Sequence, residues 1–199
     1  MKNIFVLAAF AVLSVSCTVD YGDDCMRTAG YLESVGESLV DMSAVHCVNW
    51  LYETCMTLPA CNEDGFVRTN SEEQDSGIVV NYRFVRAGDN LWSVEIASGE
   101  MIKGSLEVSR EPASADHGDL WTVLPFVLDY NEGNGYSARL SAKYDIQFEW
   151  VYSDSPLPSW TLAQSGIYSL ETFVGDIPGD SGQLQYSNGS LLFSGGPGY

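Results

Sequence analysis

The hydropathy repeat changes once along this chain, and that change limits the fold more than any other feature. From Arg27 to about Met56 the apolar residues Leu32, Val35, Leu39, Met42, Val45 and Trp50 recur at spacings of mostly three and four, the repeat of one helical face. The spacing predicts one or two helices, with Gly36 and Ser43 as points of breakage. Pro59 is the stop, because the residue before a proline avoids helical dihedrals. Asn62 to Ser76 is polar and acid-rich and reads as a linker. Beyond it the repeat is two: Val80, Tyr82 and Phe84 alternate with Asn81 and Arg83; Trp92, Val94 and Ile96 with Ser93 and Glu95; Ile102, Leu106 and Val108 with Lys103, Ser105 and Glu107. Each run is a strand with one buried face.

Turn residues punctuate these runs. Ala87-Gly88-Asp89-Asn90 and Ser98-Gly99 separate the first three strands as consecutive antiparallel hairpins, and Asn131 to Gly135 is a further turn. Leu120 to Leu128 is uniformly apolar but contains Pro125, which predicts an edge or bulged strand. Tyr144, Ile146, Phe148 and Trp150 alternate again. Trp160, Leu162, Ile167 and Leu170 mark less regular strands, and Asn188-Gly189 sits between Leu184-Gln185-Tyr186 and Leu191-Leu192-Phe193 as a closing hairpin. Roughly eight or nine strands predict a mainly β fold, an antiparallel β-sandwich or small barrel preceded by an N-terminal helical segment. The 199 residues suffice for one core. The divisions are 1–16, 17–26, a helical segment over 27–62 and a β domain over 77–195.

Residues 1 to 16 hold one basic residue, Lys2, an apolar run from Ile4 to Leu13, and the small residues Ser14-Val15-Ser16. That is a secretory leader, too short to span a bilayer, which takes about 20 apolar residues. The segment Leu13-Ser14-Val15-Ser16-Cys17 resembles the lipobox of bacterial lipoproteins. The resemblance implies cleavage after Ser16 and lipid, palmitate among its acyl chains, on Cys17. Residues 17 to 26 then form a tether. Its acidic Asp20, Asp23 and Asp24 resemble the signal that sends some Gram-negative lipoproteins to the cell surface, so the expected address is the cell envelope at the outer membrane.

The chain has five cysteines. Spending Cys17 on lipid leaves Cys25, Cys47, Cys55 and Cys61 to pair in an oxidising compartment. On one unbroken helix Cys47 and Cys55 are ~12 Å apart, beyond the ~7 Å reach of a disulfide. Two pairings remain: Cys25–Cys47 with Cys55–Cys61, or Cys25–Cys55 with Cys47–Cys61. Both staple the helical segment onto itself.

The net charge of −18 disfavours nucleic acid and anionic membrane surfaces as partners, because both are held by clustered Lys and Arg. Gly179-Asp180-Ser181-Gly182 resembles the nucleophile motif of trypsin-like serine proteases, and Ala44-Val45-His46-Cys47 resembles their catalytic histidine segment. That resemblance implies Ser181 as nucleophile, His46 as base and Asp89 as its orienting carboxylate. Against it, His46 falls on a predicted helix, Gly182 is followed by Gln183-Leu184, and Asp-Ser-Gly after Pro178-Gly179 is ordinary turn chemistry.

His46 and His117 are the only histidines, and exported cysteines oxidise rather than bind metal, so zinc is not expected. Asp129, Asn131, Glu132 and Asn134 cluster oxygen atoms of the kind calcium takes, without the spacing of an EF-hand loop, and read as a solvated turn. Trp92, Trp121 and Trp150 alternate with polar residues and count as packing before sugar stacking is considered. The function expected is a membrane-anchored, non-catalytic binding or structural role toward protein or glycan, without a cofactor. A secreted serine hydrolase using Ser181 and His46 is the alternative.

Overall fold

A computed structural model describes residues 29–74, 77–115, 118–153 and 159–196. The leader, Cys17, the acidic tether, Cys25 and His117 lie outside the described residues. The chain begins with α1 (Ala29–Val40), widens into a π turn over Asp41–Val45 and continues as α2 (His46–Thr57), followed by a 3-10 turn over Pro59–Asn62. The helical dihedrals at Val40 and Val45 make this one continuous helix.

Neither predicted breakpoint breaks it. A Cβ at Gly36 would lie 2.5 Å from Leu184 Cδ1, so the missing side chain is what lets the helix approach the sheet. The Ser43 hydroxyl donates back to the Leu39 carbonyl and so stays within the helical ladder. The π turn, one residue wider than an α turn, ends at His46, whose N–H donates to the Asp41 carbonyl.

Eleven strands follow: β1 (Val67–Glu73), β2 (Val79–Gly88), β3 (Leu91–Ser98), β4 (Ile102–Glu111), β5 (Leu120–Val123), β6 (Phe126–Asn131), β7 (Tyr136–Ala142), β8 (Ile146–Ser153), β9 (Ser159–Val174), β10 (Ile177–Ser187) and β11 (Ser190–Gly196). All pairings are antiparallel within one sheet. The mainly β antiparallel fold with a preceding helix is the one the sequence pattern predicts. β5 and β6 both pair with β4, and their registers differ by one residue across Leu124-Pro125. They are one long strand bulged at the proline, whose missing N–H requires such a place. β7 and β8 are likewise one strand interrupted at Lys143–Asp145, both paired with β9. Joined in this way, the sheet is a meander in chain order with β1 and β11 at its edges.

The region read as a linker contains an edge strand. Residues 68, 70 and 72 of β1 are half-buried while their neighbours are exposed. The alternation carries polar side chains on both faces, so hydropathy alone conceals it.

One face of the sheet and one face of the helix form a single core. Leu32, Leu39, Val40, Ala44, Cys47, Val48 and Leu51 of the helix are buried together with Tyr82, Phe84, Trp92, Ile96, Val108, Trp121, Leu128, Leu140, Phe148, Tyr168 and Leu184 from strands across the sheet. The helical segment is thus not a separate unit from the β domain: it is the layer the sheet packs on.

α1 contacts β10 and β11 near one edge, while Met42 and Thr54 bond to Tyr82 of β2 and Arg68 of β1 near the other. The sheet therefore curls round the helix. Trp92 and Trp121 stack with centroids 5.6 Å apart, and their indole N–H groups donate to the Cys61 carbonyl and Asp119.

The Gly36–Leu184 contact sets the helix-to-sheet distance, so Gly36→Val costs about 1–3 kcal/mol by overpacking. The midpoint of chemical denaturation followed by tryptophan fluorescence measures it, and an unchanged midpoint contradicts the close approach.

Candidate functional site

The polar residues that point into the curl meet where the helix passes the edge strand β1. Residues 68, 70 and 72 face the helix, and two of them reach it. Arg68 Nη1 donates to Thr54 Oγ1 at 2.9 Å, and Glu72 Oε2 lies 2.7 Å from His46 Nδ1. The His46 ring stacks on Trp50 at 5.8 Å, and Trp50 meets Tyr82 edge-on at 4.6 Å. Tyr82 in turn donates its hydroxyl to the Met42 carbonyl inside the π turn at 2.6 Å. Burial raises the Tyr82 phenol above its ordinary range, with neighbouring Cys47 and Glu72 adding to the effect. It therefore acts as a fixed donor.

Below this cluster a groove of about 580 Å³ opens to solvent, walled by Trp50, Tyr52, Met56, Arg68 and Asn70. Tyr52 is held from behind by Trp150, 4.3 Å between centroids. The groove combines ring faces with one guanidinium, one amide, the Glu53 carboxylate and the hydroxyls of Thr54 and Thr57, a set that orients a ligand by stacking and hydrogen bonds. Arg68, Asn70 and Glu72 were hidden to sequence reasoning inside the polar stretch. Their spacing of two was the available signal.

The residues of the serine hydrolase reading are placed apart. His46 is engaged by Glu72, and Asp89 accepts from Arg86 Nη2 at 2.8 Å. Ser181 shares register with the exposed Gln183 and Gln185 on β10, opposite to the inward Leu184, so it faces away from the helix that carries His46. Gly179 to Gly182 lies at a β-bulge of β10, where Thr172 donates to the Asp180 carbonyl.

The oxygen cluster near Asn131 is a turn. Asn131 and Asn134 accept from the backbone N–H groups of Gly133 and Tyr136, and Asp129 pairs with Arg139 at 2.8 Å. Asp129 and Arg139 belong to an outer-face row, Lys103, Asp129, Arg139 and Glu171, that alternates in sign across four strands beside a hollow of about 300 Å³. Among the described residues no group of three or more His, Cys, Asp or Glu is arranged to hold a metal ion. Trp92 and Trp121 are core, as expected, and Trp150 is half-buried behind Tyr52.

Cys55 and Cys61 form a disulfide that clasps the end of α2 to the 3-10 turn. This excludes the Cys25–Cys55 with Cys47–Cys61 pairing, while Cys25 itself lies outside the described residues. Cys47 is a free thiol at the centre of the core, pushed far above its ordinary pKa by burial. Among the described residues Cys47 has no disulfide partner. Comparison with protein-family models, with curated proteins and with solved structures finds no match.

A row of carboxylates, Glu33, Glu37 and Asp41, runs at four-residue spacing along the helix toward Tyr186. Glu37 is raised above the ordinary carboxylate value by partial burial first, then by repulsion from Glu33 and Asp41. Asp41 is raised by burial, with His46 opposing. A folded-state value above the unfolded one means that ionisation opposes folding.

Stability is therefore lost as pH rises through the ordinary carboxylate range toward the raised value. Glu37→Gln raises the melting temperature at pH 7 by a small margin, since solvent screens the exposed side chain. The gain vanishes below about pH 3, where both states are protonated; calorimetry at the two pH values measures it.

Cys47 gives a separate check on the core. In the native chain it resists iodoacetamide and reacts only on unfolding, whereas Cys55 and Cys61 react only after reduction, as read by peptide mass. Native labelling of Cys47 contradicts its placement.

Proposed function

We propose that this chain is an exported lipoprotein of the cell envelope, held at the outer membrane of a Gram-negative bacterium through lipid on Cys17. Its folded part is a non-catalytic binding or structural module toward protein or glycan. The observation that carries the reading is the leader running directly into Leu13-Ser14-Val15-Ser16-Cys17. The Cys55–Cys61 disulfide supports export, because such a bond persists in an oxidising compartment.

The groove between α2 and β1 supports the binding part. Its walls are a stacking surface with a polar rim that presents Trp50 and Tyr52. The acidic surface fits a soluble module displayed on a tether.

The intact mass of the membrane-extracted protein tests the anchor. A chain beginning at Cys17 and carrying acyl chains, with the acyl mass absent in Cys17→Ala, is the expected result. A chain that begins at Cys17 with no added mass overturns the anchor and makes this a released protein.

A further inference from the structure

The groove is bounded by two surfaces that run side by side. Trp50, Glu53, Thr54 and Thr57 stand at spacings of three and four on one stripe of α2, and Arg68 and Asn70 stand two apart on the helix-facing side of β1. β1 has β2 as its single neighbour among the described residues, so no strand lies beyond it. A volume of about 580 Å³ falls within the roughly 300–1,000 Å³ of small-ligand sites.

Arg68 sets the charge of this site. Arg83, Arg86, Arg110 and Arg139 each lie on a carboxylate, those of Glu95, Asp89, Asp119 and Asp129 in turn. Arg68 instead donates through Nη1 to the neutral hydroxyl of buried Thr54, and no carboxylate is within ion-pair distance of it among the described residues. In a chain with 27 acidic residues against nine basic ones, a half-buried guanidinium left without an acid is the exception. Thr54 fixes one nitrogen of the planar fork, while Nε and Nη2 meet no acceptor among the described residues. The group that matches such a fork in charge and shape is a carboxylate.

The rest of the wall selects what carries that carboxylate. Trp50 and Tyr52 offer ring surface to a flat C–H face. Thr57 gives its hydroxyl hydrogen to the Glu53 carbonyl, which leaves its oxygen to accept. The Glu53 carboxylate is exposed and accepts only, and Asn70 both donates and accepts. Acceptors of this kind suit a ligand rich in hydroxyls, and a sugar joins hydroxyls to a C–H face where an acidic peptide supplies few.

We propose that the groove binds a sugar whose ring carries a carboxylate, a uronic or sialic acid residue of a glycan. The carboxylate lies on Arg68, the C–H face against Trp50 and Tyr52, and the hydroxyls toward Glu53, Thr57 and Asn70. This rests on the reading of the folded part as a glycan-binding module and names its ligand class. A net charge of −18 repels anions at a distance, but at 0.15 M salt the field of exposed charges dies away over ~8 Å, so the contact with Arg68 decides.

The test is titration of the exported chain bearing Cys17→Ala, in 0.15 M salt, followed by tryptophan fluorescence and calorimetry. The probes are trigalacturonate, its methyl ester, sialyllactose and lactose. The ester and lactose lack the charge, so the comparison needs no altered protein. The acids are expected to bind and the neutral sugars to bind about tenfold more weakly, the scale of one charge-assisted hydrogen bond. Binding of trigalacturonate alone assigns a uronic acid, and of sialyllactose alone a sialic acid.

Arg68→Gln is expected to weaken the acid about tenfold and leave its neutral counterpart unchanged, a split that a merely structural role would not produce. Arg68→Lys keeps the charge but loses the fork and falls between. Resistance of Cys47 to iodoacetamide shows that each variant is folded. Equal affinity for acid and neutral sugar, or acid binding indifferent to Arg68→Gln, overturns the proposal and leaves the glycan-binding reading standing. Binding of none of the four sugars overturns both.

Discussion

The contact between Gly36 and Leu184 fixes how close the helix lies to the sheet, and most of the core follows from that distance. A sheet with one apolar face needs a second layer, and a mean helix of three turns does not cover a meander of this width. This helix covers it by running on through the π turn, from β10 and β11 at one edge to β1 and β2 at the other. The sheet accommodates the cylinder by curling, and its two interruptions sit in the middle strands, at Leu124-Pro125 and at Lys143–Asp145. Bulges increase local bend and twist, so their position midway along the meander is where curvature is most needed.

The π turn has a specific partner. Its Met42 carbonyl takes the Tyr82 hydroxyl, and Tyr82 is buried on β2 among Cys47 and Phe84. The widened turn is thus held by a donor whose phenol stays protonated at all ordinary pH. The same turn sets the direction in which His46 leaves the helix, toward Glu72, with Trp50 one turn further along under the imidazole. Local backbone irregularity and the aromatic cluster beside the groove are therefore one feature.

Much of this was legible in the sequence because two periods mark it. The helical stripe named Leu32, Leu39 and Trp50, and the alternation named Tyr82, Phe84, Trp92, Val94 and Ile96 as inward residues, all of which lie in the core or against it. Turn chemistry at Asn188-Gly189 and the bulge at Pro125 were readable for the same reason: φ preference and a missing donor are local properties.

What escaped were the features set by tertiary partners. β1 alternates polar with polar, since its inward side meets Thr54 and His46 rather than an apolar layer, and no hydropathy signal distinguishes that from a linker. Gly36 looks like a helix breaker until Leu184 occupies the space above it. The disulfide pairing and the buried Cys47 thiol likewise depend on which side of the helix faces the sheet.

The two margins of the sheet are held by different forces, and this orders the molecule by local stability. At the β10 margin Leu184 and Tyr168 are fully buried under α1. At the other margin no residue of β1 is fully buried, and the strand is tied by its pairing with β2 and by the contacts of Arg68 and Glu72 to the helix.

Partly exposed ion pairs contribute little, typically below about 1 kcal/mol, whereas each buried large side chain contributes roughly 1.5–3 kcal/mol. Regions with few buried apolar contacts open first. The β1 margin therefore depends less on apolar burial than the layer of β9 and β10 under α1 does, and it is also where Trp50, Tyr52, Arg68 and Asn70 line a groove. The Cys55–Cys61 bond lies at the end of α2 that borders this groove, so it restrains the helical wall covalently beside a strand that has no fully buried residue.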